Sequence, residues 1–212
     1  MEYIIAVFQK GGILMYPLLF LGVLSIAFII ERLFSLRKSK IIPVYALEEI
    51  ISFLKEGKIE EAMTVAKTYR SITTNIIYDV LKAYLSGKTS LEDLKIIAEE
   101  RAKLEIPKLE SYINAIGAIA AISPLLGFLG TVTGMIQVFQ ALSVSGLGNP
   151  EVLSSGIAQA LITTAFGLII AIPSLAAYWY FRSKVNFLVI QIEGIVFEVI
   201  NILTSQNYEV RK

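Results

Sequence analysis

Residues 111–150 read SYINAIGAIAAISPLLGFLGTVTGMIQVFQALSVSGLGNP, 40 residues without a charged side chain. After Glu151, residues 152–181 add 30 more of the same kind. A helix crosses the hydrocarbon of a bilayer with about 20 apolar residues, so each stretch is long enough to span. Both carry small residues at helical spacing. The first row is Ala120, Ser123, Gly127, Gly130/Thr131 and Gly134; the second is Gly156, Ala160, Thr163/Thr164, Gly167, Ala171 and Ser174. Residues three and four apart share a helix face, and small ones there let two backbones approach closely. The expected packing positions are Gly127, Gly130, Gly134, Gly156 and Gly167, together with Pro124 and Pro173 in the same spans.

Composition agrees. Of 212 residues 55% are hydrophobic and 17% charged, too apolar for an ordinary soluble domain. The net charge of +1 gives no sign of nucleic-acid binding. The chain has no cysteine and no histidine, which removes disulfides, thiol chemistry, His-based metal sites and His-dependent triads. No nucleophile–base pair and no metal cluster emerges, so neither an enzyme nor a metal or other cofactor is expected. A third uncharged segment, residues 13–30, has its basic cluster (Arg32, Arg37, Lys38, Lys40) after it rather than before it. A secretory signal has the reverse order, so this segment reads as a retained span.

The expected class is an all-α membrane protein with three transmembrane helices and long cytoplasmic helical extensions. The expected divisions are an external segment 1–12, spans at 13–31, 111–142 and 151–182, a cytoplasmic helical region 32–110, an external loop 143–150, and a cytoplasmic amphipathic helix 183–212. Lys and Arg stay on the cytoplasmic side. Fourteen of them lie between Arg32 and Lys108, and Arg182, Lys184, Arg211 and Lys212 follow the last span. The N-terminus is therefore expected outside and the C-terminus inside, with Tyr178, Trp179 and Tyr180 as an inner aromatic anchor. Within 32–110 the periodicity predicts helices over 44–56, 59–69 and 75–86, and one opened by Ser90 with Asp93 and running toward Glu105. Asn149 and Pro150 suit a helix start. The face Val185, Leu188, Ile192, Val196 and Val199 would lie on the membrane or pack on another helix.

Thr131 and Thr164 are equidistant from the loop centre, so they share one depth. At 1.5 Å rise per residue this is roughly 15–20 Å from the helix ends, near mid-bilayer. With Thr163 and Gln159 they would line a narrow polar passage if several copies assemble about an axis. The alternative is ordinary packing, since a membrane threonine often bonds its own i−4 carbonyl. No Asp, Glu, Lys, Arg or His lies within either stretch. A proton carrier needs a titratable group in the membrane, so any such group would come from another chain.

Two strings, SPLLGFLGTVTGMIQVF at 123–139 and GIAQALITTAFGLIIAIP at 156–173, resemble the MotA/TolQ/ExbB proton channel family, most closely its ExbB/TolQ branch. The resemblance implies a subunit of an ion-driven motor in the bacterial inner membrane. Five such subunits would form a homo-oligomeric ring around single-span partners like ExbD or TolR, whose membrane aspartate carries the proton. The ring would energise outer-membrane processes through a TonB- or TolA-like protein. Thr131 and Thr164 match the family threonines of the second and third spans. Gln159 falls where the best-known ExbB proteins carry glutamate, which removes a candidate acid. The flagellar MotA branch has four spans and fits less well. A passive oligomeric scaffold is the competing expectation from another class.

Overall fold

The structure, a computed structural model, describes residues 8, 10–145 and 150–210; side chains are described at these positions except 144, 145, 150–152 and 206–210. The helices are α1 (Met15–Ser35), α2 (Lys38–Ile41), α3 (Val44–Lys55), α4 (Ile59–Thr68), α5 (Ile72–Leu85), α6 (Leu91–Ser145) and α7 (Pro150–Val210). No strand occurs among the described residues. Among the described residues, three helices are long and apolar enough to cross a membrane: α1, α6 and α7. The protein is an all-α, multi-pass membrane protein.

The chain divides into two compact units. One holds the described residues of Met1–Arg32 and Tyr112–Tyr180; the other holds those of Leu33–Ser111 and Phe181–Lys212. Helices α6 and α7 contribute to both. In the first unit α1, α6 and α7 pack together, with α6 antiparallel to α7 and α1 parallel to it. In the second unit α3 packs on α4 and α4 on α5. Leu47, Ile50, Leu54, Ile77 and Leu81 are buried there. So are Val185, Leu188, Ile192, Val196 and Val199 of α7, whose apolar face packs on protein.

Local chemistry sets the short helices. Gly57 and Gly87 follow α3 and α5 with φ of 76° and 95°, a left-handed conformation that glycine adopts without Cβ strain. Helix α5 opens three residues earlier than the periodicity predicts. Ser71 and Thr74 form a reciprocal cap in which each side chain accepts the other's backbone N–H. The Ser90 cap of α6 is half of a box: its Oγ accepts from the Asp93 N–H at 3.3 Å. The short α2 has no counterpart in the periodic reading. It is held from outside, where Thr73 Oγ1 of α5 donates to the Ile41 carbonyl at 2.6 Å. Helix α6 runs through Pro107 and Pro124 without a break. The expected short helix ending near Glu105 and the expected second span are one element. The proposed cap at Asn149 and loop positions 146–149 lie outside the described residues.

One polar cluster locks α5 to α6 in the second unit. Glu105, almost fully buried, accepts from Arg101 Nη2 at 2.8 Å and Lys108 Nζ at 2.9 Å. Asn75 Nδ2 approaches it at 3.4 Å. Arg101 also faces Asp79 at 3.4 Å. A buried carboxylate is tolerable when it is paired and hydrogen-bonded, as here.

Candidate functional site

The small-residue rows face each other within one chain. A Cβ placed on Gly127 would lie 3.0 Å from Thr164 Cα, and one on Gly134 would lie 3.0 Å from the Gly156 carbonyl and Ala160 Cβ. A Cβ on Gly167 would lie 2.6 Å from the Ser123 carbonyl oxygen. On Gly130 it would meet the Thr163 side chain, and on Gly156 that of Val138. The seam closes α6 on α7, so these glycines first serve a single subunit. Pro124 is half-buried and Pro173 exposed, and neither sits in the closest contacts.

The four polar residues singled out by sequence divide into two pairs. Thr163 is buried and donates to the Gly11 carbonyl at 2.9 Å as well as to the Gln159 carbonyl at 2.8 Å. Gln159 packs its amide against Gly12. Both residues therefore face the chain leading into α1. Their partners, Gly11 and Gly12, carry no side chain, so periodicity and polarity gave no signal for them. Thr164, about 100° further round the helix, points its hydroxyl to the Gly127 carbonyl of α6 at 2.9 Å. Thr131 is partly exposed and donates to the Phe128 carbonyl at 2.6 Å, one turn back. On α6 the α1 side is marked by Tyr112, which stacks on Phe28 at 5.1 Å and lies under Arg32 at 4.9 Å. Thr131 and Thr164 lie on the other side of the α6–α7 pair, away from α1.

A further hydroxyl pair joins α1 to α7. Ser25 Oγ and Ser174 Oγ are 2.7 Å apart, both buried, and Ser174 also donates to the Ile170 carbonyl at 2.7 Å. Ser174 belongs to the small-residue row of α7, and Ser25, a hydroxyl within an apolar span, is the sequence signal for its partner. Tyr178 lies against Gly117, where a Cβ would approach its ring to 2.8 Å. It packs on α6, while Trp179 and Tyr180 are exposed.

The fold and this seam define a polytopic helical membrane protein built for close helix packing around a few hydroxyl groups. A model of the MotA/TolQ/ExbB proton channel family matches residues 68–194, more than half of the chain. An ExbB-like protein of Synechocystis is 30% identical over 178 residues, covering 82% of this chain and 83% of that protein. An ExbB homologue of Methanothermobacter thermautotrophicus is 26% identical over 211 residues, covering 99% of this chain and 72% of the relative. The Tol-Pal system protein TolQ of Haemophilus influenzae is 40% identical over 82 residues, 39% of this chain and 36% of that one. The chain belongs to the MotA/TolQ/ExbB proton channel family, as an ExbB/TolQ-like subunit.

Proposed function

We propose that several copies assemble into a ring, five by family resemblance, whose lumen is lined by the face bearing Thr131 and Thr164. The ring encloses transmembrane helices of an ExbD/TolR-like partner carrying a membrane aspartate. Proton exchange on that aspartate drives a TonB- or TolA-like protein. The N-terminus lies outside and the C-terminus in the cytoplasm. The observation carrying this reading is the position of the two threonines, on the α6–α7 face that α1 leaves free, in spans that hold no acid. Hydroxyls stabilise a carboxylate's charged form, whereas desolvation favours its neutral form. A threonine ring beside a foreign Asp would therefore let its proton exchange bias the relative position of helix and ring, the differential interaction a motor needs. Thr163 and Gln159, turned toward Gly11 and Gly12, are positioning groups in this scheme.

The test is proton flux in liposomes holding the chain alone, the chain with its partner, and the chain with the partner's Asp changed to Asn. Flux is expected only in the second case. Specific flux from the chain alone, or undiminished flux with the Asn partner, would remove the mechanism. A passive scaffold would give no flux in any of the three.

A further inference from the structure

Three helices of the first unit can be placed at a common depth through their contacts. Along α1 and α7, Gly12 meets Gln159, Gly22 meets Ile170 and Ser25 meets Ser174. The two helices therefore run in parallel with one register. Along α6 and α7, Gly117 meets Tyr178, Gly130 meets Thr163 and Gly134 meets Ala160, an antiparallel register. A mark on one helix transfers to the other two.

Charges supply the marks. Residues 11–30 are 20 uncharged positions between Lys10 and Glu31. The α7 residues in register with them, 159–179, measure about 30 Å at helical rise, one hydrocarbon thickness. Carried through the α1–α7 register, the Glu31 end reaches Tyr180, beside exposed Trp179 and next to Arg182. Carried to α6 it reaches Tyr112, and Arg32 sits over that ring. Three helices thus agree on this boundary. The Lys10 end reaches Gln159 on α7 and the neighbourhood of Gly134 on α6. Helix α7 begins at Pro150 and α6 ends at Ser145, so both continue past this level by roughly 15 Å.

We infer that the outer edge of the hydrocarbon lies at the level of Gly11, Gln159 and Gly134. Thr131 and Thr164 then sit about one turn inside the outer mouth, instead of at mid-bilayer as their distance from the hairpin tip suggests. The misplacement has a simple cause: the tip of the hairpin is not the membrane surface. This deepens the proposed function and, as regards conduction, rests on it. On the free face the positions from the threonines inward are Phe128, Pro124 and Ala121 on α6, with Leu168, Ile172 and Leu175 on α7, all without polar side chains. The exchange site therefore opens to the external side through a short threonine-lined mouth, and the dry barrier occupies the inner two thirds of the membrane.

Single cysteines at the exposed positions Ile13, just before α1, and Phe20, Val23 and Ile30 within it test the depth, since the chain has no native cysteine and α1 stands outside the threonine face. Spin labels would be measured in the assembled protein in phosphatidylcholine liposomes, against oxygen and a water-soluble nickel chelate. The deepest signals are expected at 20 and 23, with 13 and 30 at headgroup depth. A label at 13 as deep as those at 20 and 23 would overturn the inference. The depth order is independent of conduction. The expected order without partner-dependent flux would leave the depth standing and remove the conduction reading; flux with the opposite order would do the reverse.

Discussion

Gly167 and Gly194 lie on the same helix, and replacing each by alanine should shift stability in opposite directions. In both places Ala improves intrinsic helix propensity by about 1 kcal/mol. At Gly194 a Cβ meets nothing within 4 Å, so the full gain is available. At Gly167 the Cβ would lie 2.6 Å from the Ser123 carbonyl and 3.2 Å from Gly127 Cα. Both obstacles are backbone and cannot rotate away. A relaxed carbon–oxygen contact needs about 3.3 Å, so α6 and α7 would have to part by roughly 0.7 Å at this level. Overpacking of this kind costs up to about 3 kcal/mol, and subtracting the propensity gain leaves a net loss of about 2 kcal/mol. The two variants should differ by about 3 kcal/mol on these same principles. Denaturant unfolding of the purified protein in detergent, followed by circular dichroism, measures both. If Gly167→Ala proves as stable as the parent, or Gly194→Ala is the weaker of the two, the seam is not the tight intrachain contact described.

Other expectations follow from single contacts. A double-mutant cycle on Ser25→Ala and Ser174→Ala should give a coupling near 0.6 kcal/mol, the ordinary value for a hydrogen bond between membrane helices; a coupling of zero would dismiss the pair. Glu105→Gln should cost about 2 kcal/mol because Arg101 loses its buried partner, while Lys108→Ala, at an exposed position, should cost under about 1 kcal/mol; unfolding in urea compares them. Thr73→Val should cost about 1–3 kcal/mol by leaving the Ile41 carbonyl unpaired, and protection of the α2 amides in hydrogen exchange should fall with it. Thr131→Val and Thr164→Val should each impair partner-dependent flux with the ring intact by native mass spectrometry, and Gln159→Leu should impair it less; full flux in the double threonine variant would return both hydroxyls to packing.

Much of the architecture was legible because a membrane span needs one thing, a long run without charge, and three runs supplied it. The seam was legible too, since Gly127, Gly134, Gly156 and Gly167 fall at helical spacing and small residues there have few other uses. What escaped was set by contacts between distant segments. The helix expected to run from Ser90 toward Glu105 does not stop there, since α6 continues through Pro107 into the second span. The start of α5 depends on a Ser71–Thr74 cap in which threonine does the work usually given to Glu or Gln. The grouping of Thr163 with Thr164 failed for a geometric reason. Adjacent residues on a helix point about 100° apart, so one reaches Gly11 and the other Gly127.

That divergence bears on how a chain without a membrane acid could still be exacting about its polar residues. Thr163 and Gln159 hold the approach to α1 on one side of α7, while Thr164 bonds the α6 backbone at Gly127 on the other. One turn of α7 is thus fastened to both neighbouring helices by adjacent hydroxyls. Loss of Thr163 would act on Thr164 by loosening that turn, without itself touching a proton. The distinction is measurable because Thr163→Ser keeps the hydroxyl and should preserve both the turn and the flux. Thr163→Val should lower flux together with the thermal stability of the ring, whereas Thr164→Val should lower flux out of proportion to stability. Equal ratios of flux loss to stability loss at the two positions would mean that both threonines are structural, and the proposed division of labour between the two faces of α7 would fall with them.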